Sequence, residues 1–427
     1  MVWITIPIIP IIIFLRIPFV SCYLFWCVMK LNVSVNRIFY ITIRIMIFLY
    51  LFTMGINTEI ITNKVSNSIA IVLLLLLLVY QYKTKLRICE YAKRFGLFLF
   101  ICFFSIMWAS MKEIALTRCI TLTMIFALTV SIYDYIHKEG IIDTYISIIC
   151  MSTFAYIIYV VLYGGLNDYI YNLTVGTRLG NSVYNANAIG MMSSTVAILS
   201  LWNATLNKKP FFYLSFILCS INTMASGSRT AFIGFIIGLL LLFVFYETNG
   251  KYHILKKVFI GLSILLVIII IFQNSLFSEI LGSRYATILD FANGTYSYDG
   301  SMTDRTIMVR AGLEQFYKTP LLGLGIGNSR IVVNRQFGFK YYNSYLHNNY
   351  IELLVSLGIT GFIVYYCMYL RPILKIISYY NKRDKYDVIA LAIMSMHLIF
   401  DFGTVSYYSK TTYIYMILYY LICERKK

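Results

Sequence analysis

Long apolar runs recur from one end of the chain to the other, separated by short polar segments. The runs 69–80 (IAIVLLLLLLVY) and 258–272 are apolar on every side, so neither alternates as a half-buried strand does. A helix of roughly 20 apolar residues crosses the hydrocarbon core of a bilayer with its backbone hydrogen bonds satisfied internally. The pattern therefore predicts an all-α, polytopic integral membrane protein. It excludes a transmembrane β-barrel, whose strands alternate polar and apolar residues.

We predict about twelve transmembrane helices within a single domain that covers residues 1–427. One further apolar stretch, 3–29, contains Pro7, Pro10 and Pro18, and three alternatives stay open for it. It spans the membrane, it is re-entrant, or it precedes the true start of the protein. The predicted spans are 38–54, 67–81, 95–111, 117–136, 142–163, 185–202, 211–226, 229–246, 257–272, 348–370, 388–403 and 411–423.

Composition and charge agree with a membrane protein. Apolar residues make up 60% of the chain and charged residues 13%, against about a quarter charged in soluble domains. The formal net charge of +18 does not indicate nucleic acid, because most Lys and Arg lie in short loops. With twelve spans these loops all fall on one side, which the positive-inside rule assigns to the cytoplasm together with the C-terminus. The basic loops are Lys30–Arg37, Lys83–Arg94, His137–Glu139, Lys208–Lys209, Lys251–Lys257, Arg371–Lys385 and Arg425–Lys427.

Two long loops fall on the opposite, extracytoplasmic side, at about 164–184 and 273–347. The second is expected to be partly helical, with a helix over Asp304–Lys318 whose first residue is the N-cap and which Pro320 ends. The glycines of 321–328 (LLGLGIGN) predict a turn. They do not form a dinucleotide fingerprint, because no strand precedes them and their spacing is wrong.

Three polar motifs lie where a predicted helix begins on the outer side, at 177–187, 226–230 and 345–352. A helix N-terminus exposes free N–H groups and a partial positive charge, so it favours an anion. The alternative is that these residues only cap the helices and that the arginines lie at the membrane interface. The candidate binding residues in the three motifs are Arg178, Asn187, Ser228, Arg229, His347, Asn348 and Glu352.

The long outer loop is unexpectedly basic. Arg178, Arg229 and Arg305 suit a pyrophosphate, because guanidinium binds phosphate oxygens in pairs and stays charged. Arg310 follows Arg305 by five residues, about 140° around a helix, which disfavours a shared target. A solvated loop of mixed charge is the alternative, since acidic residues partly balance the basic ones. The basic residues of the loop are Arg284, Arg305, Arg310, Lys318, Arg330, Arg335 and Lys340.

Two histidines are candidates for proton transfer. His347, on the outer side, has an ordinary pKa near neutrality and is a candidate general base, with capping or packing as the alternative. His397 lies four residues before Asp401 on one helix face, which predicts a structural hydrogen bond, with a proton relay as the alternative. We find no DxD or HExxH motif and no P-loop, and predict neither a metal site nor a cofactor.

The order of these motifs resembles a known family. R-x-G-x-x-x-x-N-x-N is followed by S-G-S-R at a helix start and by a long outer loop. That loop holds D-R-T-x-x-x-R-A-G-L-x-x-F and P-L-L-G-L-G-I-G-N, and H-N-N-Y-I-E-L-L-V-S-L-G-I-T-G-F follows. From about Arg178 to Phe362 the chain resembles the O-antigen polymerase and O-antigen ligase superfamily of bacterial surface-polysaccharide assembly. Ala186 stands where the family commonly has proline.

The resemblance implies a GT-C-type, metal-independent, inverting glycosyltransferase. Such an enzyme works on the outer face of the bacterial cytoplasmic (inner) membrane with undecaprenyl-diphosphate-linked oligosaccharides. By the resemblance, Arg229 and Arg305 contact the diphosphate and His347 assists the acceptor hydroxyl. Arg178 and Arg310 are added on physical grounds, as further cations for the phosphates.

Three functions follow as hypotheses. The first is a polymerase of lipid-linked O-antigen or capsule repeat units. The second is an O-antigen ligase, which transfers the finished chain to lipid A core in lipopolysaccharide. The third is a lipid-linked oligosaccharide flippase or other transporter, which needs charges deep in several spans. The expected partners are the undecaprenyl-diphosphate-linked oligosaccharide, membrane lipids, and chain-length regulator and flippase proteins, with no nucleic acid.

Overall fold

The computed structural model describes most of the chain as α-helices. The described residues are 35–56, 63–175, 185–245, 300–338, 345–378 and 384–425. The helices are α1 Val35–Thr53, α2 Asn63–Thr84, α3 Glu90–Phe104, α4 Lys112–Glu139, α5 Ile142–Gly164, α6 Leu166–Val175, α7 Ala186–Asn207, α8 Pro210–Ala225, α9 Arg229–Phe245, α10 Gly300–Lys318, α11 Arg330–Phe337, α12 Asn349–Ser378, α13 Lys385–Phe400 and α14 Lys410–Glu424. A short 3₁₀ turn follows α3.

Every predicted span within the described residues coincides with a helix. The span 257–272 and the stretch 3–29 lie outside the described residues. Among the described helices, α1, α2, α4, α5, α7 and α12 are long and apolar enough to cross a membrane, and α8 and α9 are shorter apolar helices. The all-helical membrane class is therefore confirmed, while the number of twelve transmembrane helices and the GT-C topology stay predictions.

The long loop is partly helical, as expected. Its helix α10 ends at Lys318, before Pro320, but begins at Gly300 rather than at Asp304. The prediction that Asp304 is the N-cap was therefore wrong, because this residue already lies in the second turn. A second short helix, α11, follows the glycine-rich residues.

One end of the helix bundle gathers the basic loops for which the structure describes the flanking helices, and we call it the basic end. The Trp202 indole donates a hydrogen bond to the Lys385 carbonyl at 3.0 Å, and the Tyr386 hydroxyl donates to Asp143 at 2.7 Å. Arg425 pairs with Asp384. These contacts bring together the C-terminal ends of α7 and α14 and the beginnings of α5 and α13. The basic loops around these helices thus share one end, as the charge pattern predicts.

The opposite end gathers the starts of α7, α9 and α12 around the α13–α14 connection, and we call it the motif end. The backbone N–H of Asn349 donates to the Asp401 carbonyl at 2.7 Å. A Cβ added to Gly403 would lie 2.6 Å from the Thr230 hydroxyl oxygen, so the first turn of α9 packs directly on this connection. Ala188 of α7 lines a cavity together with Asp401. The helix starts singled out from the sequence are therefore neighbours.

Close helix packing depends in part on small side chains. A Cβ at Gly234 of α9 would lie 2.3 Å from the Phe400 ring of α13, so only glycine permits this approach. Helix packing in membranes commonly uses such small residues, because apolar side chains gain little by leaving lipid. This contact holds α9 against α13 close to the motif end.

The glycine segment, residues 320–328, is built into a break of α12. Gly358 has a φ of 64° and interrupts the helix. The carbonyl of Val355 accepts a hydrogen bond from the N–H of Leu324 at 2.8 Å, while the N–H of Ile359 donates to Pro320 at 2.8 Å. A continuous helix would pair residues 355 and 359 with each other. The glycine segment replaces these bonds, where the sequence predicts only a turn.

A small second hydrophobic core lies beside the main one. It is formed by α10, α11 and the residues around the start of α12. Its buried side chains are Met308, Val332, Val333, Leu346 and Val355. This core attaches the described part of the long loop to the residue that precedes His347.

Candidate active site

His347 has an unusual backbone conformation. Its φ is 54°, in the left-handed region, which is costly for residues other than glycine and persists only where the surroundings enforce it. Its ring packs on that of Tyr345, with 4.2 Å between the centroids. The left-handed turn places His347 directly before Asn348 and the first turn of α12.

A buried carboxylate, Glu352, holds one side of this turn. Glu352 is 1% exposed and accepts hydrogen bonds from the N–H of Leu346, at 3.1 Å, and from the hydroxyl of Ser329. Ser329 precedes α11, so this carboxylate ties the long loop to the His347 turn. The binding role predicted for Glu352 stays a prediction, and the contacts observed give it a positioning role.

A second buried carboxylate, Asp401, holds the other side. The side-chain amide of Asn349 donates to Asp401 at 3.1 Å, and the hydroxyl of Tyr366 donates to the same oxygen at 2.8 Å. The amide oxygen of Asn349 accepts from the N–H groups of Ser406 and Tyr407 at 2.9 and 3.1 Å. Asn349 thereby fixes the start of α12 to the α13–α14 connection.

Arg305 lies close enough to His347 to act on its titration. Burial and, to a lesser extent, the positive charge of Arg305 together lower the pKa of His347 from 6.5 to about 4. The imidazole is therefore neutral at neutral pH and has a lone pair to accept a proton. Of the predicted catalytic residues, Arg305 and His347 are thus brought together by α10 and the His347 turn.

The S-G-S-R motif forms the tight turn between α8 and α9. Gly227 has a φ of 59°, and the N–H of Ser228 donates to the Ser226 hydroxyl at 3.2 Å. The Ser228 hydroxyl accepts from the N–H of Ala231 at 3.4 Å, and Ser228 is 2% exposed. Ser228 therefore caps α9, and Arg229 is the first residue of that helix, half-buried at the motif end. Its location at a helix N-terminus agrees with the predicted anion site.

The remaining predicted residues occupy different settings. Asn348 caps α12 by accepting from the N–H of Ile351 at 3.1 Å. Asn187 lies half-buried in the first turn of α7, where its N–H donates to the capping side chain of Asn185 at 2.9 Å. Arg310 is 83% exposed and 3.6 Å from Glu314. Arg178 lies outside the described residues, and binding roles for all four stay predictions.

The predicted hydrogen bond between His397 and Asp401 was wrong. The His397 ring bonds instead to the Tyr419 hydroxyl at 2.7 Å and to the Thr195 hydroxyl at 3.3 Å. Asp401 is the C-cap residue of α13, so it leaves the helical face that four-residue spacing implies and bonds to Asn349 and Tyr366 of α12. The two side chains support different helix contacts around one cavity of about 130 Å³.

Two features of this site were not predicted from the sequence. Asn349 and Asp401 are 52 positions apart, and no sequence motif indicates their contact. Arg118, in the first turns of α4, approaches the glycine segment and Tyr408. Its only signal in the sequence is an arginine near the outer start of a predicted span.

The helices and the cationic, histidine-containing site define an integral membrane protein with a candidate active site at one end of its bundle. Residues 214–366 match a family model described as O-Antigen ligase. The match covers the residues from α8 to the middle of α12 and includes Arg229, Arg305 and His347. It confirms the resemblance to the O-antigen polymerase and ligase superfamily and supports a function of that type, without separating polymerase from ligase. No curated protein sequence matches the chain significantly.

Proposed function

We propose that this protein polymerises lipid-linked repeat units of a bacterial surface polysaccharide, O-antigen or capsule. It transfers the growing glycan from undecaprenyl diphosphate to an incoming lipid-linked repeat unit, on the outer face of the cytoplasmic membrane. The observation that carries the proposal is the match of residues 214–366 to the O-Antigen ligase family model, and the buried His347 within electrostatic range of Arg305 in that region supports it.

The chemistry is a displacement at the anomeric carbon of the donor glycan. An acceptor hydroxyl attacks this carbon as its proton passes to the free nitrogen of His347. The bond between the anomeric carbon and the diphosphate oxygen breaks on the opposite face, which inverts the configuration. Arg229 and Arg305 bind the departing diphosphate, whose developing charge the guanidinium groups and the N-terminus of α9 stabilise. Because arginines supply the positive charge, the proposed reaction needs no metal ion.

Purified full-length protein incubated with a lipid-linked repeat unit tests this proposal. The expected product is a ladder of longer lipid-linked glycans that forms in the presence of a chelator. Arg229→Ala and His347→Ala should each lower elongation by at least about a hundredfold. A folded preparation that leaves the repeat unit unextended, or variants that keep full activity, would contradict the proposal.

An O-antigen ligase is the second candidate, because the matched family model carries that description. It would use the same donor and the same site but would accept lipid A core in place of a second repeat unit. Assays with each acceptor in parallel separate the two functions. Transfer to lipid A core without chain elongation favours the ligase.

A further inference from the structure

Two arginines that sequence analysis did not assign to the site meet at one glycine. Arg118 comes from α4 and Arg330 begins α11. Gly327 has a φ of 70°, and a Cβ there would lie 3.1 Å from Cγ of Arg118. The Gly327 carbonyl accepts a hydrogen bond from Nε of Arg330 at 3.2 Å. Gly327 thus makes room for one side chain and orients the other.

Glu352 is the carboxylate that interacts electrostatically with both arginines, and it does not neutralise their combined charge. Both Arg118 and Arg330 act electrostatically on Glu352, which is buried and already accepts from Ser329 and Leu346. Within the part of the chain that the structure describes, neither guanidinium lies within 4.0 Å of a carboxylate oxygen. Two positive charges around one carboxylate leave a net positive charge, which an anion would compensate.

An aromatic ring orients Arg118, the first of the two arginines. The guanidinium of Arg118 lies over the Tyr408 ring, 4.2 Å from its centroid. Burial raises the pKa of Tyr408, Glu352 raises it further, and Arg118 and Arg330 lower it, so these groups share one electrostatic neighbourhood. A guanidinium stacked on a ring keeps its N–H edges available for paired hydrogen bonds to phosphate oxygens.

This second cationic group and Arg305 adjoin different side chains of the His347 turn. Burial raises the pKa of Tyr345, Arg305 lowers it and Glu352 raises it, so Tyr345 lies within electrostatic range of both Arg305 and Glu352. One group, with Arg305, adjoins the His347 ring. The other, with Arg118 and Arg330, adjoins the Glu352 carboxylate that holds the His347 turn.

We propose that Arg118 and Arg330 form a second diphosphate-binding subsite, which holds the lipid-linked acceptor while Arg305 and Arg229 hold the donor. The inference rests on the proposed polymerase function, because polymerisation needs two polyprenyl diphosphates at once. The donor loses its diphosphate at the first subsite. No bond changes at the second subsite, and the acceptor keeps its diphosphate for the next round.

Binding stoichiometry tests the second subsite without relying on activity. The full chain in phosphatidylcholine nanodiscs is titrated with undecaprenyl diphosphate. Wild type should bind two equivalents, Arg118→Gln/Arg330→Gln should bind one, and Lys112→Gln, a change at an exposed cation on the same helix, should bind two. A wild type that binds one equivalent, or a double variant that still binds two, overturns the proposal. The second arm of the experiment uses nanodiscs that contain phosphatidylglycerol. If wild type then binds one equivalent of undecaprenyl diphosphate fewer, the subsite binds phospholipid headgroups, and the proposal is overturned in this way too.

An elongation assay separates failure of this inference from failure of the proposed function. With a long lipid-linked glycan as donor and a single labelled repeat unit as acceptor, Arg118→Gln should raise the acceptor KM about tenfold and leave the donor KM unchanged. Arg118→Lys, which keeps the charge and the fold, should raise it less. An acceptor KM that does not move overturns the subsite, even if elongation proceeds. If wild type fails to elongate yet binds two equivalents, the polymerase proposal fails and, with it, the assignment of Arg118 and Arg330 to the acceptor, although the second diphosphate site itself remains.

Discussion

Asn349 and Asp401 are joined twice, through the backbone at 2.7 Å and through their side chains at 3.1 Å. The first residue of α12 is thereby fixed to the last turn of α13. Because His347 lies two residues before Asn349, the same contact fixes where the candidate base begins its turn. The left-handed conformation of His347 is enforced from this side by Asp401 and from the other by Glu352.

Replacement of Asn349 by alanine should therefore reduce both stability and activity. The change removes a donor to Asp401 and leaves the N–H groups of Ser406 and Tyr407 unpaired in the interior. We expect a loss of about 3 kcal/mol in free energy of unfolding. Thermal unfolding in detergent and the elongation rate measure the two effects. Asn207→Ala, at the exposed basic end, is the matched control and should change neither, whereas an unaltered Asn349→Ala protein would refute the positioning role.

Glu352 and Ser329 should act as a unit. Glu352→Gln replaces one of the two carboxylate oxygens that accept from Ser329 and Leu346, so one of these donors loses its acceptor. The His347 turn is then held less firmly, and kcat should fall while the KM for the donor stays near wild type. Ser329→Ala should weaken the same contact. In the double variant the two losses should not add, because neighbouring partners share one interaction. Additive losses in kcat would show that the two residues act separately.

The pH dependence of His347 should change when Arg305 is replaced. In wild type, burial and then Arg305 hold the pKa at about 4, so the ring stays neutral and able to accept a proton at any pH above that value. Arg305→Gln removes the repulsion between the guanidinium and a protonated His347, so the pKa of His347 should rise towards the usual value of about 6.5. As the pH is lowered, activity should therefore begin to fall at a higher pH in this variant than in wild type.

Diethyl pyrocarbonate modification of His347 reports this shift even where elongation is weak. The reagent attacks the neutral ring, so its rate falls as pH drops through the pKa. The inflection should lie at higher pH in Arg305→Gln than in wild type. His347→Ala supplies the background, and identical inflections in the two proteins would exclude the contact between Arg305 and His347.

Alanine at Gly358 should lower the free energy of unfolding more than alanine at Gly338. A Cβ at Gly358 would lie 2.2 Å from the Leu321 carbonyl, so alanine must push the glycine segment out of the break in α12. The expected cost is about 3 kcal/mol or more in free energy of unfolding. Gly338 is the matched control, since its φ of 77° and ψ of 176° lie in the same glycine-favouring region but nothing lies within 4 Å of a Cβ, so alanine there should cost the backbone strain alone, about 2 kcal/mol. Equal costs in thermal unfolding would contradict the tight fit.

The helices of this fold could be predicted because the evidence for them is local. Apolar runs located α7, α9 and α12, and the polar residues ahead of them marked their starts. The motif order also led to the family, and α10 occupied the part of the loop that periodicity indicated. Such features depend on neighbours a few positions apart, which the sequence displays directly.

The contacts that position the site are not local and could not be predicted. Asn349 contacts Asp401 only because α12 and α13 pack side by side. The four-residue spacing of His397 and Asp401 predicted a hydrogen bond that does not form, because α13 ends at Asp401. Arg118 reaches the glycine segment across nearly half of the chain's length. The break at Gly358 depends on carbonyls that only a docked segment satisfies. Each of these needs the arrangement of helices in space.

The break in α12 also decides which parts of the molecule belong together mechanically. The carbonyls of Val355 and Ser356 are bonded to the glycine segment instead of to the next turn of their own helix. The N–H of Ile359, on the other side of the break, donates to the Pro320 carbonyl, so the glycine segment is held by both halves of α12. The described part of the long loop and both halves of α12 therefore form one mechanical unit with the His347 turn, and the contact between Asn349 and Asp401 joins that unit to the bundle.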